Sequence, residues 1–217
     1  MIVHDHEQNS PEWYSARMGL PTASEFSKIV TAVNGRLSSS SGAYIDELIA
    51  QRLAPSEFGE AYASASMDRG HQMESRARAA YEFATGNSVE QVGFCLSDCR
   101  RCGASPDGLV GEDGCIEIKS PMAKTHLGYY RDGGLPSAYR QQVHGVLAVT
   151  GRQWCDFVAF HPELPLFIHR IERDDYTVKL QSAVAEFCDK LDAAAADMMA
   201  TLKAEGFEIP AEKVVSE

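Results

Sequence analysis

The chain has 217 residues, 44% of them hydrophobic, and a formal charge of -11, which suits one domain with a core able to hold a rigid site. That acidity excludes a generic nucleic-acid coat, because phosphate binding shows as a basic excess. No apolar run is long enough to span a bilayer.

The charge is uneven. Residues 174–217 carry ten acids and four bases, a net of -6, which leaves -5 for the first 173 residues. A local basic groove is possible there, with Arg17, Lys28, Arg36, Arg69, Arg100, Arg101, Lys124 and Arg131 as candidates. Met1-Ile2-Val3-His4-Asp5-His6 lacks the basic and apolar segments of a secretion signal. A soluble cytoplasmic protein that touches no membrane is expected, with its six cysteines reduced.

In chain order, Ser10 reads as an N-cap, Pro11 as the first helical position and Gly19 as the stop of a first helix. Thr22-Ala23-Ser24-Glu25 has the capping-box pattern, and Phe26, Ile29 and Val30 are spaced to face a core. Residues 38–42 read as a flexible stretch. Tyr44, Ile45, Leu48, Ile49 and Leu53 mark a third helix. A fourth runs over residues 67–84 with Met73, Ala77, Ala80 and Tyr81 as its stripe, ended by Gly86 and Asn87. Strands are expected at residues 89–96, 102–110 and 115–120. A helix at 136–150, stopped by Gly151, precedes strands at 153–160 and 166–172. A long helix from Asp174 to about Leu202 closes the chain, packing through Val178, Val184, Phe187 and Leu191. The order predicts an α/β fold, a mixed sheet with helices on its faces.

Within that frame one cluster carries chemistry. Ser105-Pro106-Asp107-Gly108 is followed, after Gly111-Glu112-Asp113-Gly114, by Glu117-Ile118-Lys119. The four-residue interval reads as a hairpin turn that folds the strand bearing Asp107 beside the strand bearing Glu117. Alternation places Glu117 and Lys119 on one face and Ile118 in the core. Two carboxylates at close range repel unless a cation lies between them, and such oxygen ligands suit Mg²⁺ or Mn²⁺. The pattern points to metal-assisted hydrolysis.

These residues match the PD-(D/E)XK nuclease motif, and the rest of the chain resembles the phage lambda exonuclease or YqaJ-type viral recombinase branch. The resembling segments are Ser10-Pro11-Glu12-Trp13, Arg17-Met18-Gly19, Thr22-Ala23-Ser24, Arg69-Gly70 with Glu74, the Ser-Pro-Asp-Gly run, Glu117-Ile118-Lys119, and Tyr139 with Gln141-Gln142. The resemblance implies a restriction-endonuclease-like mixed central sheet flanked by helices. It implies a single domain over residues 1–217, with a catalytic core at about 66–172 and a C-terminal helix at about 174–203. It also implies an Mg²⁺-dependent 5′-to-3′ exonuclease acting on double-stranded DNA ends, with Mn²⁺ as a substitute. Such an enzyme leaves a 3′ overhang for a single-strand annealing protein and assembles as a homotrimer ring. A phage or prophage origin follows. The alternatives are a site-specific endonuclease of the same superfamily and a non-catalytic module that binds DNA ends or metal.

By the same resemblance Asp107, Glu117, Glu74 and the Ile118 carbonyl hold metal, while Lys119 orients or deprotonates the attacking water and stabilises charge at the phosphate. Tyr139, Gln142 and His144 line the site, His144 standing where relatives often have a glutamine. Met67 is a candidate wedge for the terminal base pair. Arg17, Thr22, Ser24 and Arg36 form a pocket for the 5′ phosphate. Cys95, Cys99, Cys102 and Cys115 have the residue types of a zinc or iron-sulfur site. Their spacing is irregular for structural zinc, so neither group is expected.

Overall fold

In the computed structural model, residues 1–58 and 65–207 are described, with side chains given for all of these except residues 65–72. Five strands make the larger sheet: β2 (Val89–Glu90), β5 (Gly108–Val110), β6 (Gly114–Lys119), β7 (Trp154–Ala159) and β8 (Phe167–Glu172), in the order β2-β5-β6-β7-β8. A smaller sheet, β1-β3-β4, pairs β1 (Ile2–His4), β3 (Phe94–Leu96) and β4 (Gly103–Ala104).

The larger sheet is mixed because β6 and β7 run parallel while every other pair is antiparallel. Parallel neighbours need a crossover. Helices α5 (Ala123–Asp132) and α6 (Arg140–Thr150) supply it. Helix α4 (Ala65–Thr85) covers one face, where Ala77 and Tyr81 pack with Val110, Ile116, Ile118 and Val158. The opposite face meets α6, α3 (Ser41–Leu53) and α7 (Asp175–Ala204) through Cys115, Cys155, Phe157, Leu147, Leu48 and Leu180. A strand buried on both faces reads as a continuous apolar run, and β6 does so except for Lys119 at its end and Glu117, which is 1% exposed. Gly114 admits this packing, because a Cβ there would lie 2.1 Å from the Trp154 ring.

The expected strands at 89–96 and 102–110 are each broken in two. Gly93 sits so close to the carbonyls of His4 and His6 that a Cβ would clash, and the chain leaves the larger sheet there for the smaller one. Pro106 has no N–H to give a ladder, and residues 105–107 form the link from β4 to β5. Two elements had no sequence signal. Strand β1 is three residues whose partner is β3, far along the chain. Helix α5, Ala-Lys-Thr-His-Leu-Gly-Tyr-Tyr-Arg-Asp, buries only His126 fully.

Helix α1 (Pro11–Arg17) has the expected cap, Ser10 Oγ accepting from Trp13 N at 3.2 Å. Thr22-Ala23-Ser24-Glu25 forms no capping box. Residues Ala23–Glu25 are a 3-10 turn leading into the four-residue α2 (Phe26–Ile29), and the Thr22 hydroxyl is turned to other partners. Within residues 38–42 the Ser38 and Ser40 hydroxyls are 2.8 Å apart, and α3 begins at Ser41. Val178 is 56% exposed and lies off the buried stripe of α7, which runs through Tyr176, Leu180, Ala183, Val184, Phe187 and Leu191. Asp174 caps that helix with a reciprocal box involving Thr177. No helix among the described residues is long and apolar enough to cross a membrane.

Candidate active site

The hairpin β5–β6 builds the centre of the site. Gly108 pairs with Ile116, and Asp107 N donates to Ile116 O at 3.1 Å, so Asp107 stands at the open end of the hairpin beside Glu117. Its Oδ2 accepts from Ile118 N at 2.5 Å. Glu117 faces α6 because it is opposite Phe157 in the parallel register. Its Oε1 accepts from Lys119 Nζ at 2.6 Å and from Gln142 Nε2. Its Oε2 is buried and has no hydrogen-bond partner.

Burial and then repulsion from Glu117 hold the Asp107 carboxyl well above the usual carboxylate range, with Lys119 opposing them. For Lys119 burial works against the charge, yet Glu117 and Asp107 outweigh it and push the ammonium up. Its Nζ lies 5.2 Å over the Tyr139 ring. The set is an acid pair with unmet acceptor capacity and one adjacent cation. That suits a hard divalent ion, since buried acceptors are otherwise paired.

Glu74 reaches the same region from α4, but Arg78 Nη2 holds its Oε1 at 2.5 Å and donates to Asp107 O at 3.2 Å. Among the described residues no group of three or more His, Cys, Asp or Glu converges on a metal position. The expected three-carboxylate set is therefore not assembled, because Glu74 is turned to Arg78. Sequence reasoning missed Arg78, although a residue four positions after a helical glutamate lies on the same face.

His144 does not line this centre. It lies two positions after Gln142, about 200° around a helix, and its Nδ1 lies 2.8 Å from Thr177 Oγ1 at the start of α7. Burial pushes this imidazole below its usual value of 6.5, helped by Arg140 and opposed by Asp174. The unfolded chain then binds more protons just below that value, so stability is full above it and is lost as the pH falls. Replacing His144 with Gln should narrow the gap in melting temperature between about pH 7.5 and about pH 5.5; an unchanged gap would remove His144 from this role.

A second cluster lies on the other side of residues 105–107. Arg17 Nη2 is 3.3 Å from both Thr22 Oγ1 and Ser24 Oγ, and Nη1 is 3.5 Å from Ser105 Oγ. Its guanidinium lies 3.9 Å over the Trp13 ring, and Trp13 Nε1 donates to Ser105 Oγ at 3.0 Å. A parallel bridge between Thr22 and Gly103 fixes the pocket to β4. Burial pushes Arg17 down to about 10. Arg36 does not join. It is exposed on a turn where Thr31 N donates to Arg36 O at 2.9 Å. Ser105 and Trp13 lay in the motifs read from sequence, yet neither was given a role.

Three members of the expected basic groove are ion-paired: Lys28 with Glu25 and Glu47, Arg101 with Asp189 and Asp192, and Arg131 with Asp132. The side chains of Met67 and Arg69 lie outside the described residues. Cys95, Cys102 and Cys115 pack in the main core, and Cys99 is exposed.

A family model, the YqaJ-like viral recombinase domain, matches residues 12–153. The chain belongs to this family. The fold agrees: an alkaline exonuclease, LHK-Exo from Laribacter hongkongensis, is similar with a TM-score of 0.78 and 37% identity, over 90% of this chain and 99% of that one. The same values hold for LHK-Exo in complex with dAMP. A phage-related exonuclease from Haemophilus somnus 129PT shares the fold at a TM-score of 0.56 and 14% identity, over 81% of this chain and 96% of that one. No curated protein sequence matches. The match to the YqaJ-like domain spans the Arg17 cluster, α4, the hairpin and α6, so the centres described above lie within one family domain.

Proposed function

We propose that this chain is a divalent-metal-dependent exonuclease that shortens one strand of linear double-stranded DNA from the 5′ end and leaves a 3′ single strand. The observation that carries the reading is buried Glu117, with one oxygen held by Lys119 and Gln142 and the other unpartnered beside Asp107. Asp107, Glu117 and the Ile118 carbonyl would hold Mg²⁺, or Mn²⁺ in its place. The bound ion would supply a water activated for attack and neutralise charge at the leaving oxygen.

This chain's residues do the rest. Gln142 clamps one oxygen of Glu117 and leaves the other free for such an ion. Lys119 orients the attacking water and donates to a phosphate oxygen as negative charge builds there. Tyr139 holds that ammonium over its ring. Arg78 positions Glu74 and the Asp107 carbonyl. At the second cluster, a buried guanidinium whose hydrogen-bond partners are neutral hydroxyls suits the 5′-terminal phosphate. LHK-Exo in complex with dAMP supports the reading by chemistry, because stepwise hydrolysis releases a nucleoside monophosphate.

The family resemblance extends the proposal to a homotrimer ring and to a single-strand annealing protein that takes up the 3′ strand. Linear duplex labelled at either end, offered beside covalently closed circular duplex, tests the activity in Mg²⁺. Loss of the 5′ label as mononucleotide, with the circle intact, is expected. Cutting of the circle would favour an endonuclease, and an inert protein would favour a binding module. Light scattering should give about three times the chain mass of 23.7 kDa; a stable monomer would remove the ring from the proposal.

A further inference from the structure

The turn joining β3 to β4 carries Cys99-Arg100-Arg101-Cys102. Ser97 N donates to Cys102 O at 2.9 Å and Arg100 N to Ser97 O at 2.8 Å, and Arg100 takes a left-handed conformation with φ of 58°. That bend brings both sulfurs to one hydroxyl. Ser97 Oγ lies 3.3 Å from Cys99 Sγ and 3.4 Å from Cys102 Sγ. Cys99 is exposed and Cys102 buried.

We propose that Cys99 and Cys102 are a peroxide-reactive dithiol, Cys99 attacking and Cys102 resolving, whose disulfide loosens the Arg17 cluster through β4. Cys99 sulfur attacks one oxygen of hydrogen peroxide and displaces hydroxide, becoming a sulfenic acid, the hydroxide leaving as water once protonated. The Cys102 sulfur then forms the S–S bond as its own proton and the sulfenic hydroxyl leave as a second water. Two thiols lose two electrons in total, and the peroxide gains them.

The roles are unequal for a physical reason. Partial burial pushes the Cys99 thiol up, but hydrogen bonds from Ser97 and from the Arg101 backbone outweigh it and hold the thiol below its usual range. Burial pushes Cys102 up to about 11. The lower and more accessible thiol is the nucleophile. The link to the pocket is one residue long: Gly103 N donates to Pro21 O at 3.0 Å and Gly103 bridges Thr22, so a turn drawn in by the disulfide pulls on the strand that seats Thr22 and Ser105. Cys188 is the competitor, its Sγ lying 3.5 Å from Arg101 O.

The test uses the full chain treated with hydrogen peroxide and digested with trypsin, which cuts after Arg100 and Arg101 and so separates the two cysteines. A linked peptide pair containing Cys99 and Cys102, split by dithiothreitol, is expected. In Cys102→Ser a dimedone adduct should collect at Cys99, and Cys99→Ser should give neither product. A Cys99–Cys188 link, irreversible sulfinate at Cys99 without a link, or no reaction would overturn the dithiol. In fully linked protein the preference for 5′-phosphate over 5′-hydroxyl ends should fall about fivefold and return on reduction; an unchanged preference would overturn the coupling. This second arm rests on the proposed phosphate pocket, whereas the peptide linkage does not.

Discussion

Replacing Glu117 with Gln, or Asp107 with Asn, should lower the rate of strand hydrolysis in Mg²⁺ by about 10³-fold or more, while binding of linear duplex changes little. Both replacements keep the side chain's size, so the hairpin and its packing survive. Each removes one of the two negative charges that a divalent ion requires there. The Asp107 variant also ends the buried repulsion with Glu117, so its melting temperature in metal-free buffer should be no lower than that of the unaltered protein. Filter binding with duplex DNA, run beside a mononucleotide-release assay, separates the two effects. Either variant turning over at more than about a tenth of the normal rate would take that residue out of the reaction.

Arg17→Ala is expected to act on the choice of end. Its guanidinium is the charged member of a cluster otherwise made of hydroxyls and the Trp13 ring. A buried cation contacting a phosphate contributes about 2 to 3 kcal/mol. The rate ratio for 5′-phosphate against 5′-hydroxyl ends should therefore fall by about 30- to 160-fold toward unity, through loss of rate on phosphorylated ends. Arg17→Lys should recover part of it, since an ammonium keeps the charge but not the fork that reaches Thr22, Ser24 and Ser105 together. Equal rates on both ends in the unaltered protein would sink the pocket.

The hairpin was legible because its information is local. Glu117 lies only ten positions after Asp107, a glycine-rich turn lies between, and side-chain alternation assigns the faces. The long helix and the parallel core strand were legible for the same reason. What the sequence hid is set by distant contacts. Nothing around Ile2 announces pairing with Leu96, and only the approach of His4 and His6 to Gly93 explains why residues 89–96 break. Thr22 has the residues of a capping box, yet its hydroxyl bonds to Arg17 and Ser24 instead. In the site, Glu74 was read as a ligand from resemblance; its ion pair with Arg78 belongs to a helix face that could have been inspected. His144 was also placed by resemblance, and the turn of α6 carries it away from Gln142 to Thr177.

The parallel pairing of β6 with β7 has a consequence for the order of assembly at the ribosome. Hairpin β5–β6 closes in about 1 to 10 μs, so both carboxylates meet as soon as residues 107–119 emerge. The crossover that brings back Trp154 opposite Gly114 requires roughly 2 to 7 further seconds of synthesis at about 5 to 20 residues per second. Until that strand arrives, the acid pair lacks the parallel neighbour that covers it. Under the proposed function, a chain stalled before Trp154 should therefore release no nucleotide from linear duplex.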